Sequence, residues 1–162
     1  MSSIEDACRR MTDAFNEVIA LADNELLQVN PDALYHNTSG VEWSIMQVLA
    51  HIAEFMPYWA GEIEKILVVP GVKFGRGIED ENRVGAIAEH GNDSLAQMTA
   101  SLRAAYARLF VTLLRLTDAD LDKSGIHVVQ GDKTIASIIH HTIIGHLTGH
   151  LNQIRQTLEL VE

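Results

Sequence analysis

The segment HHTIIGHLTGHLNQIRQTLEL near the C-terminus carries His146 and His150 four residues apart. On a helix that spacing puts both imidazoles on one face, one turn apart, where they can bite a single metal ion. Ile139 and Ile143 precede them on the same stripe and Gln153 follows, so the pair takes positions the helix otherwise gives to the core. Two unpaired imidazoles there would cost desolvation, and a metal ion would satisfy both. His51, in WSIMQVLAHIAEF, is the best third ligand, because it follows the apolar positions Ile45, Val48 and Leu49 of another helical stretch. Three neutral imidazoles that leave coordination positions for water or substrate form a known catalytic arrangement. Glu54 lies nearly one turn beyond His51, in reach of a ligand imidazole or a bound water. Glu54 and Gln153 are therefore the catalytic candidates.

Plainer readings compete with this one. A histidine pair at helical spacing also arises by coincidence in a chain with eight histidines. Trp43 and Trp59 read as packing residues, and Glu54 as a solvated helix residue. His140 and His141 are adjacent, so at most one can face a bundle interior. His36, His90 and His127 fall in or near connections and read as surface residues. Cys8 sits at helical spacing on an apolar face and reads as packing rather than as a nucleophile. Leu147 stands where a thermolysin-like zinc motif needs its glutamate. Neither paired Glu-x-x-His helices of a di-iron bundle nor a Gly-x-Ser-x-Gly elbow is present.

Four helical stretches must position these residues. The first runs from about Ser3 to Val29, with Ile4, Ala7, Cys8, Met11, Phe15, Val18, Ile19, Ala22 and Leu26 recurring at steps of three and four. The second opens at Ser44 with Gln47 in capping-box spacing and extends to about Val68, with Pro57 giving a local kink rather than a stop. Residues 70–92 read as a long connection rich in glycine and charge. The third helix runs from Asp93 or Ser94 to Leu116. Residues 117–133 form another connection, with a short extended piece before a turn at Gly131-Asp132, and the fourth helix spans about Thr134 to Val161. A single all-α four-helix bundle over residues 1–162 follows, with connections long enough for crossovers.

The chain has 162 residues, 12 Lys+Arg against 22 Asp+Glu, and a formal charge of −10. That sign opposes non-specific binding to nucleic acid or anionic membranes. One cysteine excludes an intramolecular disulfide and a cysteine-based zinc site. A chain this long buries roughly 70% of its unfolded surface and needs neither. No signal-peptide core or membrane-spanning run is visible, so a soluble cytoplasmic protein is expected.

VEWSIMQVLAHIAEF followed by HHTIIGHLTGHLNQI resembles the DinB/YfiT-like superfamily. A Trp-Ser pair opens the second helix, a single histidine sits eight residues after that tryptophan, and a His-x-x-x-His pair comes near the C-terminus with glutamine three residues beyond. RVGAIAEHGNDSLAQMTASLRAAYARL is similar to the third-helix region of such proteins. The resemblance implies an up-down-down-up bundle and a divalent ion, nickel or zinc, held by His51, His146 and His150. It implies homodimers, and relatives that are S-transferases using low-molecular-weight thiols or a mycothiol-dependent maleylpyruvate isomerase. Leu147 departs from the acidic residue many relatives carry there, which puts a proton-transfer role at that position in doubt.

Two classes of function follow. In one, the protein is a metal-dependent enzyme acting on small molecules, such as a thiol S-transferase or a hydrolase. In the other, it is a metal-binding stress or scaffold protein whose ion only fastens helices. Lys73 and Arg76, in the long connection, are candidates for a locally basic binding loop. An apo bundle whose histidines merely pack remains the plainest alternative.

Overall fold

The computed structural model describes residues 3–37 and 42–161, apart from the side chains of residues 160 and 161. Val41, the first residue of the VEWS segment, lies outside them. Amphipathic spacing gives four long helical stretches, built on α1 (Ile4–Ala20), α3 (Ile45–Val68), α5 (Leu95–Leu114) and α7 (Gly145–Val161). The connections hold α2 (Pro31–Tyr35), α4 (Glu81–His90) and α6 (Ile135–Ser137), with strands β1 (Lys73–Phe74), β2 (Ser124–His127) and β3 (Gly131–Thr134). α1 passes through a π-helical turn, Leu21–Glu25, and a 3-10 turn, Leu26–Gln28, before Asn30 caps α2 with Pro31 in its first turn. α3 and α5 both open on complete capping boxes, Ser44 with Gln47 and Ser94 with Gln97. α3 continues through Pro57 without a break.

Cross-helix contacts fix the direction of each helix. The Ile4 N–H donates to Asp118, just beyond α5, while Thr12 meets Tyr106 and Asp23 meets Arg103, so α1 and α5 run antiparallel. Arg10 meets His140 and Glu17 meets Arg155, so α1 and α7 run parallel. Glu64 accepts from Arg108 and Thr112 toward the C-terminal ends of α3 and α5. Gly91, before α5, abuts Gln47 in the first turn of α3, so these two are parallel as well. The order is up, down, down, up. α1 and α3 each pack on both α5 and α7. Because consecutive α3 and α5 are parallel, the chain must return the length of the bundle between them, roughly 30 Å for twenty helical residues. That return explains the long segment after Val68 and the packing of α4 along α3.

The core is one cluster of aliphatic side chains from all four long stretches, including Met11, Val18, Leu49, Ile52, Met56, Leu102, Leu109, Leu147 and Ile154. Two sequence expectations change here. Residues 70–92 are not a plain loop but carry β1 and α4. The turn of residues 117–133 lies at 128–130, with Gly131 already in β3 at a φ of +80°. β1 pairs parallel with β2, and β2 pairs antiparallel with β3, so Phe74 sits opposite His127.

Candidate functional site

Core packing sets the orientation of α7. Ile139, Ile143, Leu147, Leu151 and Ile154 are all buried, forming the stripe that meets the bundle. His146 and His150 lie on the flank of that stripe, His146 exposed and His150 half-buried, rather than within it as the sequence suggested. Leu147 is a core residue. The chain enters α7 through a π-helical stretch, Ile138–Ile144, in which the Gly145 N–H reaches back to the His140 carbonyl. Such insertions shift the register of one face against another and recur at functional sites.

The flank faces His51, which lies in the interior of α3 and is 5% exposed. Ring centres are 4.9 Å apart for His51 and His150, 5.6 Å for His146 and His150, and 6.4 Å for His51 and His146. All three sequence-chosen histidines are thus together. The Nδ1–H of His146 donates to the Thr142 carbonyl at 2.7 Å, and the Nδ1–H of His150 donates to Gln153 Oε1 at 3.0 Å. Both bonds leave Nε2 as the lone-pair nitrogen. His150 Nε2 and His51 Nδ1 are buried with no hydrogen-bond partner among the described residues. Gln153 therefore orients a ring rather than facing the cleft.

Burial disfavours imidazolium here. It pushes the His51 pKa down to about 3, reinforced by His150, Arg83, His146 and Arg76. His150 is also lowered, chiefly by burial, against the opposing effect of Gln153. Neutral imidazoles are the form a metal ion requires.

Aromatic side chains wall the cluster. Trp43 lies 5.2 Å from His51 and 6.4 Å from His150 between ring centres, and Phe55 lies 5.4 Å from His51. Trp59 lines the adjoining cleft of about 650 Å³, which also contains His51, Phe55, His127 and His146. Both tryptophans pack against the core, as the sequence suggested, and border the site as well. Glu54 is held elsewhere than expected. Arg76 grips both its carboxylate oxygens, at 2.6 and 2.5 Å, and stacks 3.7 Å over Tyr58, while Glu54 Oε2 stays 3.9 Å from His51 Nδ1. That last separation is too long for a hydrogen bond.

The residue that sequence reasoning missed is His127. It is 7% exposed, not a surface residue. Its Nδ1 accepts the backbone N–H groups of Val129 and Gln130 at 3.0 and 3.1 Å. A Cβ at Gly75 would lie 2.2 Å from the His127 ring, so only glycine fits there. The Gly75 N–H in turn donates to buried Glu62 at 2.6 Å. The sequence signal was available in the alternation of IHVV beside a turn, which places alternate side chains on opposite sheet faces. Of the two basic loop candidates, Arg76 lines the cleft and Lys73 does not. His36 and His90 are exposed, as expected, and Cys8 packs partly buried against the core, its thiol pKa raised by burial.

Imidazoles sharing one ion at about 2.1 Å place their ring centres roughly 5 to 5.5 Å apart. The His51–His150 and His146–His150 spacings match within a few tenths of an ångström. His51–His146 is wider, and among the described residues no three His, Cys, Asp or Glu side chains already stand arranged to hold an ion. The donor chemistry fits: orphaned imidazole nitrogens on His51 and His150, with the tautomers of His146 and His150 set by outer hydrogen bonds. Of the pair on α7, His146, at the exposed edge, is the ring more distant from His51.

The DinB superfamily model matches residues 7–154. The chain belongs to the DinB superfamily. Its fold is similar to that of YfiT from Bacillus subtilis, described as a probable metal-dependent hydrolase with an unusual four-helix bundle topology. The two share 17% identity at a TM-score of 0.76, covering 97% of this chain and 88% of that one. An uncharacterised protein from Clostridium difficile 630 matches at 16% identity and a TM-score of 0.72, over 100% of this chain and 99% of the other. A variant of the mycothiol-dependent maleylpyruvate isomerase matches at 12% identity and a TM-score of 0.70, over 95% of this chain and 63% of that one. No curated protein sequence matches. Among the described residues no helix is long and apolar enough to cross a membrane.

Proposed function

We propose that this DinB-superfamily chain is a metal-dependent enzyme acting on small molecules, with His51, His146 and His150 as the ligands of a divalent ion, nickel or zinc. The observation that carries this reading is the pair of buried, unpartnered imidazole nitrogens, His51 Nδ1 on α3 and His150 Nε2 on α7, beside a cleft of about 650 Å³ that His51 and His146 line. Bound there, such an ion would acidify a water or a thiol and so supply a nucleophile at neutral pH. The chain's own residues do the rest. Thr142 and Gln153 hold the rings in one tautomer. Phe55, Trp43 and Trp59 restrict water around them. Arg76 keeps the Glu54 carboxylate occupied, so it does not serve as a fourth ligand, and that favours an open site over a structural one. With no cysteine in the cleft, the nucleophile is water or a low-molecular-weight thiol carried in.

The test is turnover by protein loaded with nickel or zinc. Electrophilic small molecules are offered with and without a low-molecular-weight thiol, beside ester and amide substrates. The expected result is consumption of one class, lost in His51→Ala. Failure across several thiols and hydrolysable substrates, in fully loaded protein, would overturn the enzyme reading.

A further inference from the structure

We infer that the cleft beside the three histidines takes a small molecule bearing an oxyanion, a carboxylate or phosphate, held by Arg83 and Lys133 and hydrogen-bonded by the Nε2–H of His127. This rests on reading the cleft as the substrate site, but it draws on different residues. The chain has 22 acidic residues and 12 Lys+Arg. The cleft wall reverses that balance, with Arg76, Arg83 and Lys133 against Glu79 alone. Random placement in so acidic a chain would give the opposite sign.

The three cations are not equivalent. Arg76 is spent on Glu54, on Asp80 at 3.5 Å and on the Tyr58 ring. Arg83 donates to the Ile78 carbonyl at 2.7 Å and lies 5.4 Å over Trp43, yet it makes no ion pair among the described residues. Burial and the neighbouring charge of Arg76 act against its guanidinium more strongly than Glu54 and Asp80, both engaged by Arg76, act for it. Lys133, half-buried on β3, makes no ion pair among the described residues either. A partly desolvated cation gains more from an anion than an exposed one does.

His127 supplies a neutral donor beside them. Two backbone N–H groups point at its Nδ1, so the ring proton sits on Nε2 and a second proton would cost both bonds. The ring edge carrying Nε2 lies against Gly75, at the start of the loop that brings in Arg76. Two cations and a histidine with a neutral N–H lining one cleft, together with Phe55 and Trp59, match an oxyanion joined to a small apolar body.

The experiment follows backbone amides of the full isotope-labelled chain, as purified and again after chelation, during titration with succinate, inorganic phosphate or neutral succinamide at constant ionic strength. Succinate or phosphate is expected to shift amides of residues 75–83 and 127–133 and the His127 Nε2–H saturably, with succinamide silent. The two anions tell carboxylate from phosphate preference. Arg83→Gln and Lys133→Gln should each weaken binding about tenfold. Lys123→Gln, whose ammonium pairs with Asp120 at 2.8 Å, should leave it unchanged. No saturable shift with either anion, an equal response to succinamide, or indifference to both substitutions would overturn the inference. Binding that vanishes on chelation would overturn it too, by assigning the anion to an ion. Anion binding in a chain that takes up no metal would uphold it while defeating the metal reading.

Discussion

His51 and His127 are buried to nearly the same depth, 5% and 7% exposed, and both line one cleft. The protein treats them in opposite ways. His127 sits at the end of β2, where a tight turn aims two N–H groups at its Nδ1, and Gly75 leaves room for the ring. Its structural role is complete. His51 sits on a helix whose backbone is already paired, and its Nδ1 has no partner. Burial alone therefore does not identify a ligand histidine. The unsatisfied nitrogen is what sets His51 apart, because a buried polar atom without a partner costs about 1–3 kcal/mol that packing does not return.

The contrast can be broken at several points, beginning with the largest expected effect. Gly75→Ala combines a φ of +85° with a Cβ inside the His127 ring. Left-handed strain and overpacking together should cost about 4 kcal/mol in urea unfolding and displace His127. His127→Leu should cost about 3 kcal/mol, since two backbone N–H groups lose their acceptor. His51→Leu in metal-free protein should change stability by no more than about 1 kcal/mol, since it removes an unpaired group. Equal losses at the two positions would end the distinction.

Acid gives a further point. The folded pKa of His51 is depressed to about 3, so between there and the ordinary histidine value the unfolded chain binds the extra proton. Stability of the metal-free chain must then fall as pH drops, by about 2 kcal/mol from pH 7 to 5 for His51 alone. His150 and His127 are depressed too and act with the same sign. Denaturant titrations at both pH values check this, and His51→Leu should flatten the slope. Gln153→Ala frees the His150 ring and should weaken metal affinity roughly tenfold while leaving the fold intact.

Much of this was legible in the sequence. The helical period located all four long stretches, and the Ser44 box marked the start of α3, while the matching Ser94 box of α5 was read only as a start near Asp93 or Ser94. His51, expected opposite His146 and His150, does lie beside them, since the i,i+4 pair shares one face of α7 and His51 is buried on α3 facing it. The error lay in placing His146 and His150 within the core stripe. Leu147 and Leu151 hold that stripe, and a π-helical stretch, which periodicity alone does not reveal, precedes α7. Glu54 was expected to serve His51, but Arg76, distant in sequence, claims it. β1, α4 and the burial of His127 arise from a crossover whose path depends on tertiary packing rather than on local pattern.

The central claim is that the orphaned nitrogens of His51 and His150 belong to a metal ion. The most direct measurement is divalent-metal content and zinc or nickel titration of untagged protein, beside His51→Ala and His150→Ala. The expected result is about one ion per chain, with affinity falling at least roughly hundredfold in each variant. No stoichiometric uptake by wild-type protein, or uptake indifferent to both substitutions, would contradict it.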